Sequence, residues 1–153
     1  MKTLIDFTTV MRSALDIARE AEESGDIPVG AVIINADGEI IGRGHNLRER
    51  DNDPTAHAEI VAMREAATSL GNWRLDGCTL VVTLEPCGMC AGAIAQSRIP
   101  RVVFGAWDEK AGAVGSVWDL LRDPRAPFTV EVISGVLEEE CAQILRDFFE
   151  RFR

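Results

Sequence analysis

Two short motifs thirty positions apart restrict the fold of this chain more than any other feature: His57-Ala58-Glu59, and Pro86-Cys87-Gly88-Met89-Cys90. A histidine and a Cys-x-x-Cys pair can serve one ion only if the chain brings both segments to the same place. Cys87 and Cys90 fall at the first turn of a predicted helix, where nearby N–H groups and the helix dipole stabilise thiolates. His57, at the start of a different helix, adds a nitrogen. Mixed nitrogen and thiolate ligation favours zinc, and three protein ligands leave a tetrahedral zinc one position for water, whose pKa then drops to about 7. Such chemistry requires a proton carrier, and Glu59 is the candidate. Residues i and i+2 do not face each other on a regular helix. His57 is therefore expected at the helix edge, with Glu59 beside the metal and not among its ligands.

The remaining pattern supplies elements to carry these motifs. Apolar residues at Val10, Met11, Ala14, Leu15, Ala18 and Ala21 mark a helix over Phe7–Ser24, closed by Gly25. Val29–Ile34 and Glu39–Asn46 read as strands joined across Ala36-Asp37-Gly38, where Asp-Gly supplies the positive φ angles of a tight hairpin. Asp53-Pro54-Thr55 opens a helix from Ala56 to Leu70. Cys78–Leu84 reads as a buried strand, and Pro86 begins a helix of small residues running to Ser97. Arg101–Gly105 and Thr129–Ile133 read as strands, Ser116–Leu121 as a short helix and Leu137–Phe152 as the last helix. Strands alternating with helices indicate an α/β layered domain. An initial hairpin followed by helix-linked strands indicates a mixed sheet. With no repeat and no long linker, one domain over residues 1–153 is expected.

Composition bounds the setting. The 153 residues include four cysteines, two of them in the Cys-x-x-Cys, which suits metal chemistry in a reducing compartment better than a disulfide framework. No apolar run is long enough to span a bilayer, so a cytoplasmic protein without a membrane partner is expected. Sixteen Lys plus Arg against 25 Asp plus Glu give a net charge of −9. A polyanionic partner must therefore meet a local basic patch. Only Lys2 and Lys110 are lysines; Arg98, Arg101, Arg151 and Arg153 are candidates to face phosphate. Cys78 and Cys141 read as core residues, and His45 as structural.

His-x-Glu combined with Pro-Cys-x-x-Cys is the known signature of zinc deaminases. The likeness extends through Pro28-Val29-Gly30-Ala31, Asp53-Pro54-Thr55-Ala56 and Thr83-Leu84-Glu85-Pro86, then Met89-Cys90-Ala91-Gly92-Ala93 and the loop from Gly105 to Ser116. Across nearly its whole length the chain resembles the bacterial tRNA-specific adenosine deaminases. That resemblance implies a cytidine-deaminase-like three-layer α/β/α sandwich with a mixed sheet of about five strands. It also implies a homodimer, one Zn2+ per subunit, and conversion of adenosine to inosine at the wobble position of an arginine tRNA anticodon. By the same carry-over Glu59 is catalytic, His57, Cys87 and Cys90 hold the metal, Asn46 hydrogen-bonds the flipped-out base, and Asp108 lies beside a neighbouring anticodon nucleotide. Trp107 offers a face on which a base can stack.

Two other readings stand beside this one. The same zinc chemistry serves deaminases of free cytosine, guanine or a nucleoside, which an acidic chain suits better. A non-enzymatic zinc module would need a fourth protein ligand, and Cys78 and Cys141 already have core roles.

Overall fold

In the computed structural model, which describes residues 4–152, the predicted strands form one five-stranded sheet. Its members are β1 (Gly30–Ile34), β2 (Ile40–His45), β3 (Thr79–Leu84), β4 (Arg101–Ala106) and β5 (Glu131–Ile133), in spatial order β2-β1-β3-β4-β5. β1 runs antiparallel to both β2 and β3, whereas β3, β4 and β5 are parallel. The mixed sheet follows from the connections. A three-residue turn can only reverse the chain, and a parallel neighbour needs a crossover, here a helix between β3 and β4.

Five helices accompany the sheet: α1 (Phe7–Glu20), α2 (Arg48–Asp51), α3 (Ala58–Leu70), α4 (Gly88–Gln96) and α5 (Glu138–Arg151). A 3-10 turn over Ala21–Ser24 extends α1 to Gly25, whose φ of 77° ends it. The central strands are apolar on both faces, and their alternation divides the core. Ala31, Ile33, Leu80, Val82, Val102 and Phe104 pack with Ala58, Ala62, Met63 and Ala66 of α3 and with Ala91 and Ile94 of α4. Val32, Ile34, Val81 and Val103 point the other way, against Met11, Ala14, Leu15 and Ala18 of α1 and Cys141 and Ile144 of α5. The result is the expected three-layer α/β/α sandwich, because a sheet buried on both faces must be covered on both. Cys78 and Cys141 are buried, in keeping with core roles. Among the described residues no helix is long and apolar enough to cross a membrane.

Several local expectations need correction. Ser116–Leu121 is not helical: the segment doubles back on itself through a Val114–Asp119 bridge and a Gly115 N–H donated to the Trp118 carbonyl. Of its apolar residues only Leu121 is buried, while Val117, Trp118 and Leu120 are exposed. In the hairpin only Gly38 has positive φ, at 83°. Asn35 takes the place of the second left-handed residue, its Oδ1 accepting from the N–H groups of Asp37 and Glu39. The helices predicted from Ala56 and Pro86 begin two residues later, as α3 at Ala58 and α4 at Gly88, and α2 has no counterpart among the predicted elements. Lys2 and Arg153 lie outside the described residues.

Candidate active site

The N-termini of α3 and α4 meet at one end of the sheet, and each is capped by a residue of the paired motifs. His57 precedes α3 with φ −72° and ψ 153°, and Cys87 precedes α4 with φ −77° and ψ 178°. These extended cap conformations remove the difficulty posed by the i, i+2 spacing. The His57 side chain leaves the chain before helical periodicity begins, so it and Glu59 reach the same cleft. His57 Nδ1 lies 3.5 Å from the Sγ atoms of both Cys87 and Cys90, and all three donor atoms fall within 4.8 Å of one another. A tetrahedral zinc with ordinary Zn–S and Zn–N lengths separates nitrogen from sulfur by about 3.6 Å. The donor set thus fits zinc in both chemistry and spacing. Among the described residues this group contains three donors, and Cys78, Cys141 and His45 are not part of it.

Electrostatics separate the roles of the four residues. The two sulfurs compete for protons. A hydrogen bond from the Cys90 thiol, helped by one from His57 and opposed by burial, holds Cys87 down at about 3. The same hydrogen bond, with burial, pushes Cys90 far up. His57 is raised, chiefly by its hydrogen bond to Cys87. Glu59 is only 4% exposed, and burial pushes its carboxyl up to about 7 against the partial opposition of a backbone N–H and the His57 charge. A carboxyl titrating near neutrality both accepts and donates protons readily at working pH.

A cleft of about 250 Å³ opens over these groups, with His57, Glu59 and Cys87 at its floor and Asn46, Arg48 and Asp108 along its sides. Asn46 is already engaged. Its Nδ2 donates to the Ile27 carbonyl and its Oδ1 accepts from Ala58 N–H, both at 2.9 Å. It therefore satisfies an orphan amide of α3 and keeps one N–H for another acceptor. Asp108 Oδ1 accepts from the N–H groups of Lys110 and Ala111, each at 3.1 Å. Trp107 is half-exposed and packs edge-on against Phe104, with ring centroids 4.9 Å apart.

Two buried carboxylates in this region escaped sequence reasoning. Asp26 accepts from Glu49 N–H at 2.7 Å, from Arg50 N–H and from Ser24 Oγ–H, anchoring α2 and hence the Arg48 side of the cleft. Glu85 accepts four hydrogen bonds from the segment between Asp108 and Ser116. An acidic residue closing an otherwise apolar strand, as Glu85 does, is the one sequence signal that was available. Its partners are mostly backbone groups 23 to 31 residues away, which no side-chain pattern reveals.

Three metal-type donors at two helix N-termini beside a buried carboxyl, on an α/β/α sandwich, define a zinc-dependent hydrolytic deaminase. Residues 6–106 match the cytidine and deoxycytidylate deaminase zinc-binding region, and the chain belongs to that family. Within it, the chain is similar to the tRNA-specific adenosine deaminase of Bacillus subtilis strain 168, with 52% identity over 143 residues covering 94% of this chain and 88% of that one. The enzyme of the same name from Haemophilus influenzae is 54% identical over 144 residues, covering 94% and 83%. A structure solved in work on A-to-I editing by tRNA:A34 deaminases at the wobble position of transfer RNA superposes with a TM-score of 0.86 at 46% identity, covering 90% of this chain and 99% of that one. Guanine deaminase from Nitrosomonas europaea shares the fold at a TM-score of 0.78 and 27% identity, covering 95% and 86%.

Proposed function

We propose that this protein deaminates adenosine to inosine at the wobble position of a tRNA anticodon, within the cytoplasm, and that an arginine tRNA is its substrate. The observation that carries the reading is the convergence of His57 Nδ1 with Cys87 Sγ and Cys90 Sγ beside the buried Glu59. The relatives' names support a tRNA wobble adenosine as the substrate, and the arginine tRNA is carried over from the family likeness. His57, Cys87 and Cys90 hold the zinc, which when bound makes a water molecule nucleophilic at neutral pH. Glu59 is the catalytic residue: its carboxylate takes a proton from the attacking water, delivers one to the ring nitrogen, and assists departure of ammonia. Asn46 offers its remaining N–H to the base. Asp108 stands beside the neighbouring nucleotide. A nucleotide in a loop is extracted at less cost than one in a duplex, and Arg48 places positive charge at the cleft of an otherwise acidic chain.

The protein acts as a homodimer in this reading. Met89 on α4 and the nearby Val117, Trp118 and Leu120 are exposed apolar side chains. Space is open around Gly92 on the same helix, so a second copy can approach its backbone closely. The acidic composition and the likeness to a guanine deaminase favour free bases as the second reading. Incubating zinc-loaded protein with an anticodon stem-loop, free adenosine, cytosine and guanine, and following inosine and ammonia, separates the two. Glu59→Ala is expected to abolish turnover while retaining zinc. An unmodified stem-loop after long incubation with metal-replete protein would sink the tRNA assignment.

A further inference from the structure

Glu85 closes β3 one residue before the Pro86-Cys87 segment and is 2% exposed. Its Oε1 accepts from Asp108 N–H at 3.0 Å. Its Oε2 accepts from Val114 N–H at 3.0 Å and Ser116 N–H at 3.1 Å, and the single Ser116 Oγ–H proton is shared between Oε2 at 2.9 Å and the Asp108 carbonyl at 2.7 Å. All four donors come from one loop. Gly112 of that loop passes so close that a Cβ there would lie 2.3 Å from the carboxylate. The loop has a second attachment, independent of Glu85: Ala113 N–H donates to the Pro86 carbonyl at 2.8 Å, and Gly112 bridges Cys87. The ligand segment and the middle of the loop thus hold each other through backbone alone, whereas Asp108, on the wall of the cleft, is held to the loop through its carbonyl, which accepts from Gly112 N–H at 2.9 Å and Ser116 Oγ–H at 2.7 Å, and to the end of β3 through its N–H, which donates to Glu85.

We propose that Glu85 is a positioning residue for the substrate, setting where Asp108 stands in the cleft and so governing how the nucleic acid is held more than how fast the held base reacts. The inference rests on the tRNA reading of the cleft. The Glu85→Gln variant isolates it. A glutamine carbonyl, with two lone pairs, satisfies Val114 N–H and Ser116 N–H at the Oε2 position while the Ser116 hydroxyl turns to the Asp108 carbonyl, which leaves the NH2 group facing Asp108 N–H, donor against donor. The Asp108 N–H then loses its tie to the end of β3 and is pushed away from it, while Val114, Ser116 and the bonds to the Asp108 carbonyl stay in place.

The test is steady-state deamination of an anticodon stem-loop, with zinc content measured on the same samples. For Glu85→Gln the expected result is a KM raised about tenfold with kcat within about twofold of wild type, and zinc retained at the wild-type level. Combined with Asp108→Ala, it should add little to the KM of Asp108→Ala alone, because one residue acts through the other. If Glu85→Gln is insoluble, Glu85→Asp, which keeps the charge but draws the carboxylate back from Asp108 N–H, tests the same tie, and a raised KM with kcat and zinc unchanged supports the inference. Loss of kcat in step with zinc or melting temperature, wild-type KM in the variants, or full additivity with Asp108→Ala would each overturn it. A wild-type protein that leaves the stem-loop untouched overturns the tRNA reading, and this inference with it.

Discussion

Replacing Gly44 by alanine tests whether close approach of α3 to the sheet sets the geometry of the active site. Gly42 and Gly44 are the positions where β2 passes directly beneath α3. A Cβ on Gly44 would lie 2.4 Å from the Ala58 carbonyl oxygen and 2.6 Å from the Ala62 nitrogen, whereas ordinary contact begins at 3.4 Å. Both neighbours are backbone and cannot rotate away, so the first turn of α3 must withdraw by about 1 Å, and overpacking of this kind costs about 1–3 kcal/mol. Ala58 stands between His57 and Glu59, so the displacement reaches a ligand and the proton carrier together. A misplacement of about 1 Å can lower turnover by about 100-fold. Gly42→Ala is the internal control. Its Cβ would meet the Ala62 carbonyl at 2.3 Å and the Ala66 nitrogen at 2.8 Å, equally tight but farther along α3. Thermal denaturation, zinc content and single-turnover deamination are to be measured on both. Similar losses of stability are expected, with the larger loss of rate in Gly44→Ala. Equal rate losses at matched stability, or a wild-type rate in Gly44→Ala, would refute the reasoning.

Glu59 and the cysteines give two further expectations for chelated protein. Burial raises the Glu59 carboxyl from 4.5 to about 7, so the native state binds this proton more tightly than the unfolded state. The stability it contributes is complete below pH 4.5 and is lost as pH rises through 7. Glu59→Gln should therefore melt above wild type at pH 8, with the gap closing as pH falls; a gap independent of pH would exclude this. The depressed Cys87 thiol should be alkylated by iodoacetamide at pH 7, while burial holds the Cys141 thiol up at about 12 and keeps it silent. Peptide mapping reads the result, zinc should protect Cys87, and preferential labelling of Cys78 or Cys141 would contradict it.

The donor set and the layered architecture were legible in the residues themselves. His57, Cys87 and Cys90 announce a metal because few residue types bind one, and the spacing of Cys87 and Cys90 suits one helical turn. The strands over Val29–Ile34 and Cys78–Leu84 were legible because a sheet covered on both faces leaves unbroken apolar runs. Local periodicity misled at Ser116–Leu121, where the segment turns back on itself and leaves Val117, Trp118 and Leu120 exposed. It was silent on α2, a single turn whose leading amides are satisfied by the distant Asp26. Tertiary structure alone decided that His57 and Cys87 are caps of two helices meeting at one end of the sheet, which lets residues two apart serve one cleft. It alone decided that Asn46 and Glu85 are tied to amides 12 to 31 residues away. Side-chain chemistry is written residue by residue, and so the sequence by itself determined which groups could act. A backbone N–H has no identity until the fold brings it to a partner, and so only the structure could show what holds those groups in place.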